Sequence, residues 1–207
     1  MQFSPSDAEC LARLLRWRRD VRHFRTDPVP EPIGQRLRQA VDCAPSVGNA
    51  RPWRFVQAES PELRSAVREN FLAANAEALA TYEGQKRDLY LKLKLEGLDR
   101  APLQIAVFTA MDPEAGHRLG RLSMPETLMQ STAMAIHTLW LAARVNNLGV
   151  GMVSILDPKA MERCFEVPED WSFTAYLCVG YSEFDDDQPL LQRAGWQHNE
   201  TVQWEVR

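Results

Sequence analysis

The feature that most constrains this chain is a repeated change of hydrophobic period. Four short apolar runs, at 54–58, 102–109, 150–156 and 174–180, stand between longer segments whose apolar residues recur every three or four positions. Asp7 is placed to cap a first helix, with Leu11, Leu14 and Leu15 on one face and Trp17 and the arginines following. Pro28, Pro30 and Pro32 break the chain before a second helix from about Ile33 to Cys43, striped by Leu37, Ala40 and Val41. Pro61 opens a long helix to about Tyr82, with Gly84 ending it. Glu126 to Asn147 reads as another, carrying Met134, Ile136, Leu139, Trp140 and Ala143 inward. Leu89, Leu91, Leu93 and Leu95 alternate with polar residues as a strand would, yet Lys, Leu and Glu favour a helix, the reading taken here. Helices alternating with short strands, with no internal repeat, predict an α/β or α+β domain around a central sheet.

A chain of 207 residues fits one domain, and 45% hydrophobic with 25% charged residues is globular composition. The net charge of −4 provides no general basic field for nucleic acid, so any anion site must be local. Cys10, Cys43, Cys164 and Cys178 form neither a zinc pattern nor a disulfide framework, which predicts free thiols and no metal. Met1 to Cys10 lacks a signal-peptide pattern, and Ala133 to Val145 falls short of the ~20 residues of a membrane helix, so a cytoplasmic protein with a core helix there is expected. Nucleophile-elbow, zinc-protease and P-loop motifs are missing, and His137 reads as a core residue. The polar tail from Asp185, with Trp196 and Trp204, is expected to wrap a partner subunit.

Three segments carry chemistry. In Trp17-Arg18-Arg19-Asp20-Val21-Arg22, residues 18 and 22 lie four apart and would share one side of a helix end, where planar guanidinium forks suit a phosphate. A solvated basic helix end with Arg16 and Asp20 as a surface pair is the plainer alternative. Ala44 to Trp53 combines Ser46, Gly48 and Asn49 in a loop able to aim amides at a planar ligand, or to serve as an ordinary turn. Gly149 to Leu156 sets Ser154 in an apolar run behind Gly149 and Gly151, glycines that permit a ligand to approach the backbone; a serine bonded to its own backbone is the alternative.

In order and spacing these segments resemble the nitroreductase superfamily and, within it, the branch that consumes its own flavin, the 5,6-dimethylbenzimidazole synthases. Arg18 to Arg22 carry the resemblance, with Ala44 to Gly48 followed by Pro52-Trp53, Leu93-Lys94-Leu95-Glu96-Gly97, Leu119-Gly120-Arg121, Leu139 to Arg144, and Gly149 to Ile155. It runs from about Arg18 to Gly180. It implies an α+β fold with a central, mainly antiparallel sheet flanked by helices, and an intertwined homodimer with two FMN sites at the subunit interface. It further implies that Arg18, Arg19 and Arg22, with Asp20 and Val21 between them, bind the phosphate and ribityl oxygens of FMN, with Arg193 as an extra phosphate contact. Ser46 and Asn49 would reach the flavin from the other subunit, Leu91 would belong to a lid, and Met152 and Ser154 would lie at the flavin. The implied reaction fragments reduced FMN with O2 into 5,6-dimethylbenzimidazole and erythrose 4-phosphate, a step of vitamin B12 biosynthesis. FMN, delivered by a separate flavin reductase, is then both cofactor and substrate. Asp20 would act as a base or charge-orienting group beside the ribityl C1′, and Ser154 would hydrogen-bond the flavin or the peroxide formed on it. Asn49-Ala50-Arg51 instead resembles the general nitroreductase pattern, which keeps an NAD(P)H-dependent nitroreductase or enone reductase as the alternative. A non-enzymatic flavin-holding module is a third.

Overall fold

The computed structural model describes residues 1–93 and 97–207, so Lys94 to Glu96 of the leucine-lysine motif lie outside the described residues. Strands β1 (Trp53–Gln57), β2 (Leu103–Ala110), β3 (Gly149–Val153) and β4 (Trp171–Gly180) form one antiparallel sheet in the order β1-β2-β4-β3. Helices α1 (Pro5–Trp17), α2 (Glu31–Asp42), α3 (Pro61–Ala80), α4 (Gly84–Lys92), α5 (Gly97–Arg100), α6 (Thr127–Val145), α7 (Pro158–Cys164) and α8 (Leu190–Arg193) surround it. The expected α+β architecture with an antiparallel sheet is present.

β2 and β4 lie in the middle of the sheet and are covered on both faces, which is why their sequences are almost unbroken apolar runs. Ile105, Val107, Ala175 and Leu177 point to one side and pack with Leu37 and Val41 of α2 and Leu139 and Ala143 of α6. Ala106, Phe108, Phe173 and Tyr176 point to the other and meet Val67 of α3 and Met161 of α7. Between the layers, the Tyr176 hydroxyl bonds Gln104 Oε1 at 2.8 Å, and Gln104 Nε2 donates to the Leu98 carbonyl at 2.9 Å, which ties α5 to the sheet.

α6 buries Leu128, Ser131, Thr132, Ala135, Ile136, Leu139 and Ala143 at helical spacing. Met134 and His137 fall on its opposite face and are exposed, so neither is the core residue expected from the apolar run. Ser4, not Asp7, caps α1, with Asp7 completing a capping box from the third helical position. Gly84, at φ 51°, opens α4 and does not end α3, which stops at Ala80. β3 stops at Val153, where its pairing with β4 runs out, leaving Ser154 outside the ladder. All four cysteines are free, and among the described residues no helix is long and apolar enough to cross a membrane.

Candidate functional site

The arginine segment is not helical. α1 ends at Trp17, Arg18 turns to extended backbone (φ −75°, ψ 111°), and Val21 N–H donates to the Val150 carbonyl at 3.0 Å. Asp20 thus forms a parallel bridge to Val150 on the outer edge of β3. Tertiary pairing overrides the local helical preference, so Arg18 and Arg22 do not share a helix face. Asp20 Oδ1 accepts Met152 N–H at 3.0 Å, and Oδ2 accepts Arg22 Nε at 3.2 Å. Arg16, which the plainer alternative paired with Asp20, instead forks onto Asp187. The glycines of β3 also have another purpose. A Cβ on Gly151 would lie 2.1 Å from the Val21 carbonyl oxygen, and one on Gly149 2.6 Å from Val21 Cγ2. What approaches this backbone closely is the Asp20–Arg22 segment of the same chain, not a ligand.

Arg18, Arg19, Arg22, Arg144 and Arg193 line one cleft between the end of α1, the C-terminal half of α6, β3 and α8. The Arg18 guanidinium lies over the Trp140 ring at 5.0 Å, and the indole N–H donates to the Arg19 carbonyl at 3.2 Å. Arg19 hydrogen-bonds the Arg16 carbonyl, yet its Nε is buried with no partner. Burial, then the neighbouring Arg18 charge, lowers the pKa of the Arg19 guanidinium below the usual arginine value. A buried donor without a partner among several guanidiniums is the donor set an oxyanion would complete.

Asp20, Val21 and Arg22 are shared with a second, smaller hollow formed by Gly97, Gly151, Met152, Val153 and Cys178. Burial, then the nearby Asp20 carboxylate, pushes the Cys178 thiol up to about 12, so it stays neutral. Ser154 is exposed one residue beyond β3, and Leu91 is exposed on α4.

The Ser46 loop is built separately. Gly48, Asn49 and Arg51 all take positive φ, and Ser46 Oγ accepts Arg51 N–H at 3.0 Å. Val47 N–H donates to Ser131 Oγ on α6 at 3.0 Å, and Gly48 fits against the backbone of Gly116 and Leu119 without room for a Cβ. Arg51 is drawn back onto Asp42 and the Trp53 ring. Ser131 and Trp140, which support the loop and the cleft, are separated by ~13 Å of helix at 1.5 Å per residue. One chain brings Arg18, Arg19, Asp20, Val21, Arg22 and Arg193 together with Met152 nearby, and leaves Ser46 and Asn49 at the other end of α6.

Arg144, Trp140 and the acidic Asp185 and Asp186 line the site without having been expected there. Arg144 stands four residues after Trp140 on α6, so the pair shares a face, a signal hidden by the apolar character of the helix.

Residues 15–181 match the pattern of the nitroreductase family, and the chain belongs to that family. Over 207 residues it is 60% identical to a 5,6-dimethylbenzimidazole synthase of Rhodobacter capsulatus, covering 100% of both chains. It is 49% identical over 195 residues to a 5,6-dimethylbenzimidazole synthase of Rhodospirillum rubrum, covering 94% of this chain and 92% of that one. In fold it is similar to the crystal structure of an oxidized iodotyrosine deiodinase bound to FMN and 3-iodo-L-tyrosine. That match has a TM-score of 0.76 at 21% identity, with 95% of this chain and 99% of the other covered.

Proposed function

We propose that this chain is a 5,6-dimethylbenzimidazole synthase: a cytoplasmic, FMN-binding oxidoreductase of vitamin B12 biosynthesis that acts as one unit over residues 1–207. It uses O2 to fragment reduced FMN into 5,6-dimethylbenzimidazole and erythrose 4-phosphate, with the pyrimidine ring of the flavin leaving as a third fragment. The observation that carries this reading is Asp20, a carboxylate fixed by two hydrogen bonds on the wall between an arginine cleft and a smaller hollow. Full-length identity to named synthases supports it.

Arg18, Arg19, Arg22 and Arg193 hold the phosphate in this reading, with the unpartnered Arg19 Nε giving it a donor. Val21 keeps the segment on β3 through its backbone. Reduced FMN, supplied by a separate flavin reductase, provides both the electrons for O2 and the carbon skeleton of the product. Asp20 takes the proton from the ribityl C1′, where its fixed position replaces a diffusional encounter with base. Ser154, free of the ladder, hydrogen-bonds at the flavin beside the Met152 backbone. Ser46 and Asn49 come from a second copy of the chain in a homodimer, Leu91 belongs to a lid over the site, and the tail beyond Asp185 wraps the partner.

Mixing the purified protein with reduced FMN in air should yield 5,6-dimethylbenzimidazole. Asp20→Asn should still bind FMN while product formation falls by roughly 100-fold or more, the usual scale for losing a general base. Unchanged yield in this variant would remove Asp20 from that role. Rapid NADPH oxidation with the flavin intact afterwards would replace the synthase by a reductase.

A further inference from the structure

Two consecutive carboxylates, Asp185 and Asp186, line the arginine cleft, and a third, Asp187, follows directly beside it. Asp185 Oδ1 receives Arg144 at 2.9 Å and Ser182 Oγ at 3.2 Å. Asp186 pairs with Arg193 and accepts Gln188 N–H at 2.9 Å. Asp187 Oδ2 takes the fork of Arg16, with Nε at 3.0 Å and the terminal nitrogen at 2.6 Å. Arg144 and Arg193 line the same cleft as Arg18, Arg19 and Arg22, and so do Asp185 and Asp186. Asp186 and Asp187 also act electrostatically on Arg19, the guanidinium whose Nε is unpartnered.

A cleft meant only to retain a phosphate would not carry such an arrangement. Each carboxylate neutralises a guanidinium and repels the phosphate oxygens, and within a partly buried cleft salt screens these terms weakly. The chemistry of the proposed reaction gives a reason for it. A resident cofactor stays through many turnovers, whereas here the ligand is destroyed and its phosphate end must leave as a sugar phosphate each time. The phosphate that binds and the phosphate that leaves meet the same arginines.

Resting on the reading that this cleft receives the phosphate of FMN, we propose that Asp185 and Asp186, reinforced by the charge of neighbouring Asp187 on Arg19, form an internal counter-anion that competes with phosphate monoesters for the cleft arginines and speeds departure of the phosphorylated product. Exposure divides the labour. Asp185 is 54% exposed and returns to water easily when Arg144 swings to a phosphate, whereas Asp186, 18% exposed, stays as the anchor of the loop.

The test is titration of the full-length protein with FMN and, separately, with inorganic phosphate. Asp185→Asn, and Asp185→Asn combined with Asp187→Asn, should bind both ligands roughly threefold to tenfold more tightly for each charge removed. Added erythrose 4-phosphate should inhibit these variants more strongly, and their later turnovers should slow relative to the first. Asp185→Glu keeps the charge and should keep wild-type affinity, which separates electrostatics from loop geometry. Unchanged or weaker binding in the Asn variants, with wild-type protein binding FMN normally, overturns the counter-anion and leaves the synthase reading standing. Failure of the wild-type protein to bind FMN overturns the phosphate cleft itself.

Discussion

A single methyl group at Gly151 would sit 2.1 Å from the Val21 carbonyl oxygen, a contact no side-chain rotation relieves because a Cβ is fixed by its own backbone and the atom it meets is backbone. Gly151→Ala should therefore push the Asp20–Arg22 segment off β3, break the Asp20 to Met152 hydrogen bond and scatter the arginines. A loss of about 1–3 kcal/mol in denaturant unfolding is expected, the range for overpacking, together with loss of FMN binding. Gly34→Ala in α2 is the control: its nearest neighbours, at 3.6 Å, are the ends of the Arg38 and Glu31 side chains, and alanine favours a helix interior by about 0.5–1 kcal/mol. Equal FMN binding in both variants would refute this account of Gly151. Here the sequence was partly legible. The arginines, Asp20 and the glycine pair stand out as residues, but their relation does not, because a parallel pairing between positions 20 and 150 leaves no local periodicity. Arg18 and Arg22 at helical spacing pointed to a helix face that the chain replaces with an extended segment.

At the scale of elements, the middle of the sheet was the readable part. β2 and β4 are buried on both faces and therefore announce themselves as apolar runs, whereas strand ends are set by hydrogen-bond partners distant in sequence. The short helices α5, α7 and α8 carry too few turns for an apolar stripe to register. α4 shows how the helix-or-strand ambiguity is resolved where it is described. Tyr82 and Tyr90 stack at 4.9 Å, Trp196 meets Tyr82 edge-on at 5.5 Å, and Lys86 lies 4.7 Å over the indole while bonding the Trp196 carbonyl. Lys86 and Tyr90, four residues apart, share one face of α4, and Tyr82, in the link before the helix, closes onto the same side. They also clasp the proposed lid to the chain just past Arg193. Trp196→Ala should remove about 0.5–1.5 kcal/mol per aromatic contact, read as faster amide hydrogen exchange throughout α4 while β2 and β4 keep their protection. Protection of α4 at the wild-type level would mean that the clasp does not hold it.

For the whole molecule, the distance along α6 matters most. The loop of Ser46 and Asn49 is held at Ser131, ~13 Å along α6 from Trp140, away from the end of the cleft where the arginines gather. Apolar surface without a partner points the same way. α1 buries no residue although Leu11, Leu15 and Trp17 lie along it, and Val202, Trp204 and Val206 of the tail are almost fully exposed. The homodimer proposed above, with each arginine cleft facing the partner's Ser46 loop, would answer both observations. Spacing and periodicity carry no sign of such a pairing, which the sequence suggests only through its resemblance to the nitroreductase superfamily, because the Ser46 loop and the arginines lie at opposite ends of α6. Subunit mixing tests it. One chain carries Asp20→Asn, the other Ser46→Ala with Asn49→Ala, and the two are coexpressed with different tags and purified through both. Each homodimer should be impaired at both of its sites. In the mixed dimer one site collects every substitution and the other none, so benzimidazole formation should return to about half the wild-type rate. A mixed dimer no more active than the better homodimer would place each site within a single chain, and failure to recover any doubly tagged species would remove the dimer.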